Sequence, residues 1–281
     1  MKNSFQIGAS PFDRQLMTDA LDEFASIYDE RPIKDNEGGM QAPHLFATWF
    51  MAKTLAPEFV IESGVWKGQG TWILEQACPD ASIHSLDLNL LKREYVSGKV
   101  TYHEKDLAEI DWTVVDPSKT LVFLDDHQNA CSRLQLCKWY GFRDLIFEDN
   151  YQPGEGDFYS LKMILAGSGW GRAGVPGSGQ QYRSLSAKIG RKVRSLLRQL
   201  GATNSAAIPQ FSRSSVPPND FDAKFMRNNV EVYAEFPPVF AKEGFSAPEP
   251  LLDGSSRSRH RIFADQADSY NGICYVRLKG D

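Results

Sequence analysis

The stretch 120-TLVFLDDHQNACSRLQLCKWYGFRDLIFEDN-150 decides the fold. It begins with an apolar run that stops at Asp125–Asp126, crosses an amphipathic stretch, and returns to a second apolar run that stops at Glu148–Asn150. Apolar runs of strand length alternating with helix-length segments define βαβ units, which build a parallel sheet. Strand ends in such a sheet share one edge, where ligands bind. Asp125, Asp149 and Asn150 should therefore come within reach of one hard cation, and their all-oxygen donor set suits Mg²⁺.

Working outward, the same alternation extends to both sides. FVIES (59–63), SIHSLDL (82–88) and KVTYHEKDL (99–107) read as strands, as do the two runs ending at 126 and 150. TWILEQAC (71–78) and residues 129–140 read as helices between them. Upstream, Met17, Leu21, Phe24 and Ile27 recur at helical spacing within 14–30, and a second helix spans about 42–55 before Pro57. Downstream, VEVYAEF (230–236) and ICYVRLK (273–279) are the remaining strand candidates. The expected fold is a doubly wound, mostly parallel α/β sheet, Rossmann-like, with crossovers of right-handed sense. Four regions follow: a helical lid at 1–57, a ligand-binding core at 58–166, an insertion at 167–229 and closing strands at 230–281.

The insertion is compositionally distinct. GSGWGRAGVPGSG (167–179) reads as a flexible connection. No acidic residue falls between Asp157 and Asp220, where nine Lys or Arg residues occur, although the whole chain carries −5. Within it, residues 182–200 form an amphipathic pattern with Leu185, Ile189, Val193, Leu196, Leu197 and Leu200 on one face. Such a helix packs as a lid with a solvated basic face, lies on an anionic membrane surface, or steers an anionic substrate. Few aromatics interleave with the charges, so nucleic acid is not an expected partner.

Composition narrows the class further. The 281 residues suffice for one substantial core, and 42% hydrophobic content is that of a soluble globular chain. No apolar run approaches the ~20 residues that span a bilayer. The first 30 residues are too charged for a secretory signal. Four cysteines without a CxxC pair fit buried thiols in a reducing, cytoplasmic setting. Self-association into a homo-oligomer is compatible with all of this.

ESGVWKGQGT (62–71) places Gly64, Gly68 and Gly70 between a strand and a helix. Glycines there allow positive φ and close backbone approach to a ligand. The spacing is GxxxGxG rather than GxGxxG, which disfavours a pyrophosphate, and no GKS or GKT follows for a phosphate loop. A nucleoside with an amino-acid tail fits better. Asp87, 25 residues after Glu62, is placed to accept ribose hydroxyls, and Asp106 to meet an adenine edge. Each acid alone would more often be a helix cap or solvated turn. An HxD pair follows none of the five histidines, and no GxSxG elbow occurs, so iron-dependent oxygenase and serine hydrolase chemistry are disfavoured. His44, His84, His103 and His260 read as isolated, structural or exposed.

Over about residues 35–165 these motifs resemble class I S-adenosylmethionine-dependent methyltransferases. FLDDH followed by FEDNY is similar to the metal site of catechol O-methyltransferase and related metal-dependent enzymes. That likeness implies Asp125, Asp149 and Asn150 as metal ligands. NEGGM resembles the same family's segment lining the methionine end of the cofactor, which makes Met40 a contact. With it, Glu62, Gly64, Gly68, Asp87 and Asp106 would hold S-adenosylmethionine. ESGVWKGQGTW is closer to macrocin-type sugar O-methyltransferases and to sequences named cephalosporin hydroxylases. The resemblance implies metal-dependent methylation of a hydroxyl on a sugar, glycan or glycosylated small molecule. Where the catechol enzymes place a lysine base, this chain has Gln128, and His127 is the candidate base because imidazole titrates near neutrality. A hydroxylase-type reaction on the same scaffold and a silent nucleoside-binding protein are the alternatives.

Overall fold

The computed structural model describes residues 6–170 and 217–280. Seven strands form one sheet in the order β3-β2-β1-β4-β5-β7-β6. They are β1 (Phe59–Ser63), β2 (Ser82–Leu86), β3 (Val100–His103), β4 (Thr120–Leu124), β5 (Asp144–Phe147), β6 (Val230–Glu235) and β7 (Cys274–Leu278). β1 to β5 are parallel, and β7 runs antiparallel to both β5 and β6.

The central strands are buried on both faces, so their residues are mostly apolar without alternation, with Glu62 and Ser63 of β1 as buried exceptions. Successive residues still diverge: Val60 and Phe123 join one hydrophobic cluster, Ile61 and Val122 the other. The first cluster contains α1 (Arg14–Asp19), α2 (Leu21–Asp29), α3 (Ala42–Leu55) and α4 (Gln69–Ala77). The second contains α5 (Ala130–Tyr140), α6 (Leu161–Leu165) and α7 (Asp220–Asn229). A last short helix, α8 (Arg261–Ala264), packs beside α3.

Three differences from the sequence reading bear on the site. The helix expected over 14–30 is interrupted at Ala20. α3 is buried from Ala42 to Ala52, so it is an inner-layer helix, and the cleft-facing part of the expected lid is the loop before it. β3 stops at His103 rather than 107, which leaves Asp106 outside the sheet. The amphipathic basic segment 182–200 and most of the connection 167–179 lie outside the described residues. α7 was not anticipated; Asn219 caps it by accepting from the Asp222 N–H. No described helix is long and apolar enough to cross a membrane.

The chain runs outward from β1 to β3, then returns to β4 on the other side of β1. The switch point lies between β1 and β4, and a crevice opens beyond their carboxyl ends. Register fixes what lines it. Ser63 pairs with Leu86 and with Leu124, and Leu124 pairs with Phe147. The next residues along that edge are therefore Gly64, Asp87, Asp125 and Glu148.

Candidate active site

At the switch point two backbones nearly touch. Gly64 has φ 101°, and a Cβ there would lie 2.2 Å from the Asp125 carbonyl oxygen. The Asp125 N–H donates to Ser63 O and the Gly64 N–H to Leu86 O, both at 2.8 Å. Asp87 sets the turn that follows: its Oδ2 accepts from the Val65 and Trp66 N–H groups at 3.0 and 3.2 Å. That is a structural duty beyond the ribose role expected of it. Gly68, φ 96°, starts α4 where a side chain would meet the Tyr95 carbonyl.

Beyond this turn lies a cleft of about 360 Å³, large enough for a nucleoside, with Gly38, Gly39, Trp66, Asp87 and Leu88 among its walls. Asp106, expected to meet an adenine edge, borders the cleft with its carboxylate already engaged by the protein. Its carboxylate takes both Arg133 amino groups, at 3.0 and 2.6 Å, and caps a 3₁₀ turn through a capping box with Glu109. Burial raises its pKa, but the Arg133 pairing outweighs burial and holds it below the usual range. Arg133 also pairs with Asp126 at 2.8 Å, and Asp126 accepts from Ser63 Oγ at 2.6 Å. The Asp125–Asp126 doublet is thus divided: Asp126 braces the floor and Asp125 faces the pocket.

Glu62 lies below the glycine turn, fully buried. Thr71 and Ser85 hydroxyls donate to its Oε2 at 2.6 and 2.5 Å, while Oε1 has no partner among the described residues. A Cβ on Gly70 would sit 2.6 Å from that oxygen and 3.1 Å from the Met40 methyl. Gly70 thus lets α4 pack directly against the unpaired carboxyl oxygen and the Met40 thioether. Burial lifts the Glu62 carboxyl from 4.5 to about 7, against the pull of the Ser85 and Thr71 hydroxyls. The folded chain then holds a proton that the unfolded chain releases, so stability falls as pH rises from about 4.5 to about 7. Glu62→Gln keeps an acceptor for both hydroxyls and should flatten that loss. Its melting temperature should exceed the parent's at pH 8 by more than at pH 5, as scanning calorimetry would show.

A second hollow, of about 180 Å³, adjoins the cleft and shares Gly38, Gly39, Asp125 and His127 with it. Asp125, His127 and Asp149 offer ligand atoms within 4.8 Å of one another. His127 Nε2 lies 3.8 Å from Asp125 Oδ1 and 3.5 Å from Asp149 Oδ2, and its Nδ1 lies 3.0 Å from Asp157. Burial would lower its pKa, but the Asp157 hydrogen bond and the charges of Asp125 and Asp149 raise it to about 10. His127, the candidate base of the sequence, is thus held toward its protonated form by the surrounding carboxylates. Burial, with Glu148 and Asp149 nearby, pushes the Asp125 carboxyl well up, and burial beside Asp149 does the same to Glu148.

Asn150 does not join this cluster. Its Nδ2 donates to Tyr233 Oη at 2.8 Å and its Oδ1 accepts from the Lys162 N–H at 3.0 Å, in the interior. Glu148 stands in its place, because register puts Glu148 beside Asp125. Tyr151 Oη donates to Asp149 Oδ2 at 2.8 Å. His44, expected to be isolated, borders the same hollow, 2.5 Å from Glu148 through Nδ1, and its Nε2 accepts from the Asn271 N–H at 3.2 Å. Burial depresses its pKa to about 4, so it is neutral. His84 and His103 are not isolated either: their rings are nearly coplanar and share an Nδ1···Nε2 contact of 3.1 Å.

The donor chemistry fits a divalent cation. Three carboxyls crowd one buried place, and without a cation two of them are driven toward the neutral form. Carboxylate oxygens suit Mg²⁺, while the His127 nitrogen would widen the choice to borderline ions.

No protein-family model matches this chain, and no curated protein does. Solved structures that resemble it include two methyltransferases. The Podospora anserina methyltransferase PaMTH1, bound to S-adenosylhomocysteine, has 12% identity over 99% of this chain and 91% of its own, with TM-score 0.43. The O-methyltransferase TomG of Streptomyces achromogenes, in complex with S-adenosylmethionine, has 13% identity over 98% of this chain and 92% of its own, with TM-score 0.41. Identities and scores this low assign no activity to this chain.

Proposed function

We propose that this chain is a metal-dependent O-methyltransferase that uses S-adenosylmethionine to methylate a hydroxyl on a sugar or glycosylated small molecule. One observation carries the reading: a nucleoside-sized cleft behind a glycine turn opens onto a pocket of carboxylates, and the two meet at Asp125 and His127. A silent nucleoside-binding protein would need only the cleft.

S-adenosylmethionine, when bound, supplies an electrophilic methyl group. A divalent cation at Asp125 and Asp149, with Glu148 adjacent, would lower the acceptor hydroxyl's pKa as a Lewis acid. The chain's own groups do the rest. Gly64, on the cleft wall, gives the cofactor backbone contact, and Asp87 holds the turn that presents it. Glu62 Oε1 offers the amino end of the cofactor an acceptor that the protein leaves unmatched. His127 is fixed by Asp157 and stands between cleft and carboxylates. The negative charge that keeps it protonated is the charge a metal would balance, so its use as a base depends on metal loading.

Calorimetric titration of the full chain with S-adenosylhomocysteine should show a single site, retained in chelator. No heat and no rise in melting temperature at millimolar ligand would end this reading.

A further inference from the structure

The carboxylate pocket has a wall that the cofactor cleft does not share. Gln41, Tyr151, Ser269 and Asn271 line the pocket and are absent from the cleft. Two of them come from a turn more than a hundred residues beyond the metal-site motifs. We infer that the turn Ser269–Asn271 is the specificity wall for the acceptor, and that the Asn271 amide reads a hydroxyl beside the one that reacts. The inference rests on the methyl-transfer reading above.

The turn is built as a fixed surface. Tyr270, 1% exposed, anchors it: its hydroxyl donates to the Phe236 carbonyl, and its ring meets His44 and Phe245 edge-on. The residues on either side of this anchor, Ser269 and Asn271, border the pocket. The Asn271 N–H donates to His44 Nε2. Gly272 locks the exit: its carbonyl accepts from the Asn150 N–H at 2.8 Å, and its φ is 91° where a Cβ would lie 2.6 Å from the Asn150 carbonyl. A backbone held from both sides gives its side chains little freedom, as a recognition surface requires.

Asn271 Oδ1 is buried and has no hydrogen-bond partner among the described residues. An unmatched amide oxygen is costly in the interior and calls for a donor. Ser269 Oγ, Gln41 Nε2 and Tyr151 Oη already donate to Gln266 O, to Asn36 and Gly39 O, and to Asp149 Oδ2, so what they turn to the same hollow is oxygen lone pairs that accept. An acceptor carrying several hydroxyls can satisfy these groups together. A flat aromatic diol would satisfy two oxygens at the carboxylates and leave the wall unmatched.

Saturation-transfer NMR on the full chain with S-adenosylhomocysteine, using methyl α-D-glucopyranoside and catechol as probes, tests this. The glucoside should receive saturation and catechol should not. Asn271→Leu should weaken the glucoside signal about tenfold or more. Asn271→Ala should do the same, which guards against misfit of leucine. Both variants should keep the parent's melting temperature and S-adenosylhomocysteine affinity. Preference for catechol, no glucoside signal in the parent, or an unchanged signal in both variants would overturn the inference. Glucoside binding that depends on Asn271, without methyl transfer to any hydroxyl, would instead count against the activity alone.

Discussion

Gly64→Ala is expected to abolish cofactor binding and lower the melting temperature, whereas Gly98→Ala should do neither. At Gly64 the backbone has φ 101°, and an added Cβ would stand 2.2 Å from the Asp125 carbonyl oxygen. Neither atom belongs to a flexible side chain, so β1 and β4 must separate where their hydrogen bonds define the switch point. Holding a non-glycine residue in that conformation costs on the order of 1–3 kcal/mol before the clash is counted. At roughly 2–4 °C per kcal/mol for a chain of this size, the loss should be about 5–10 °C. Affinity for S-adenosylhomocysteine should fall ~100-fold or more, because the displaced atoms are the cleft floor. Gly98 has nothing within 4 Å of such a Cβ, which makes it the matched control. Unchanged calorimetric affinity in Gly64→Ala would mean that the cleft behind this turn is not the cofactor site.

What could be read beforehand follows from where the information lies. β1, β4 and β5 are buried on both faces, so their apolar runs are unbroken and their acidic ends stand out. That Asp125 and Asp149 would converge was legible for that reason. Glu148 was not, because only the pairing of Leu124 with Phe147 shows which residue of Glu148–Asp149–Asn150 lies level with Asp125. The capping duty of Asp106 was legible as well, since Asp106 and Glu109 carry the spacing of a capping box. His44 and Asn271 meet across 227 residues of chain, and no local pattern encodes that contact. The same holds for the division of labour between Asp125 and Asp126, which Arg133 on α5 decides.

Asp149→Asn separates stability from activity most sharply. The substitution removes one carboxylate from a group in which burial and mutual repulsion already hold Asp125 and Glu148 well above their ordinary pKa values. It keeps an oxygen to accept the Tyr151 hydroxyl and an amide that can still bond Glu148, so what is lost is the charge facing His127. The melting temperature should therefore stay level or rise. His127 loses one of the charges that keep it protonated, so its pKa should fall from about 10. Methyl transfer should collapse all the same. Lewis-acid polarisation contributes several kcal/mol to such a reaction, and each 1.36 kcal/mol is tenfold, so a drop of about 10³-fold is expected. Adding a chelator to the parent should reproduce that drop, while chelator added to Asp149→Asn should change little. Affinity for S-adenosylhomocysteine should match the parent's, because Asp149 lines the carboxylate pocket and not the cleft. A variant that kept the parent's rate, or a parent indifferent to chelator, would remove the metal from the mechanism and leave the carboxylates as a proton-relay cluster around His127.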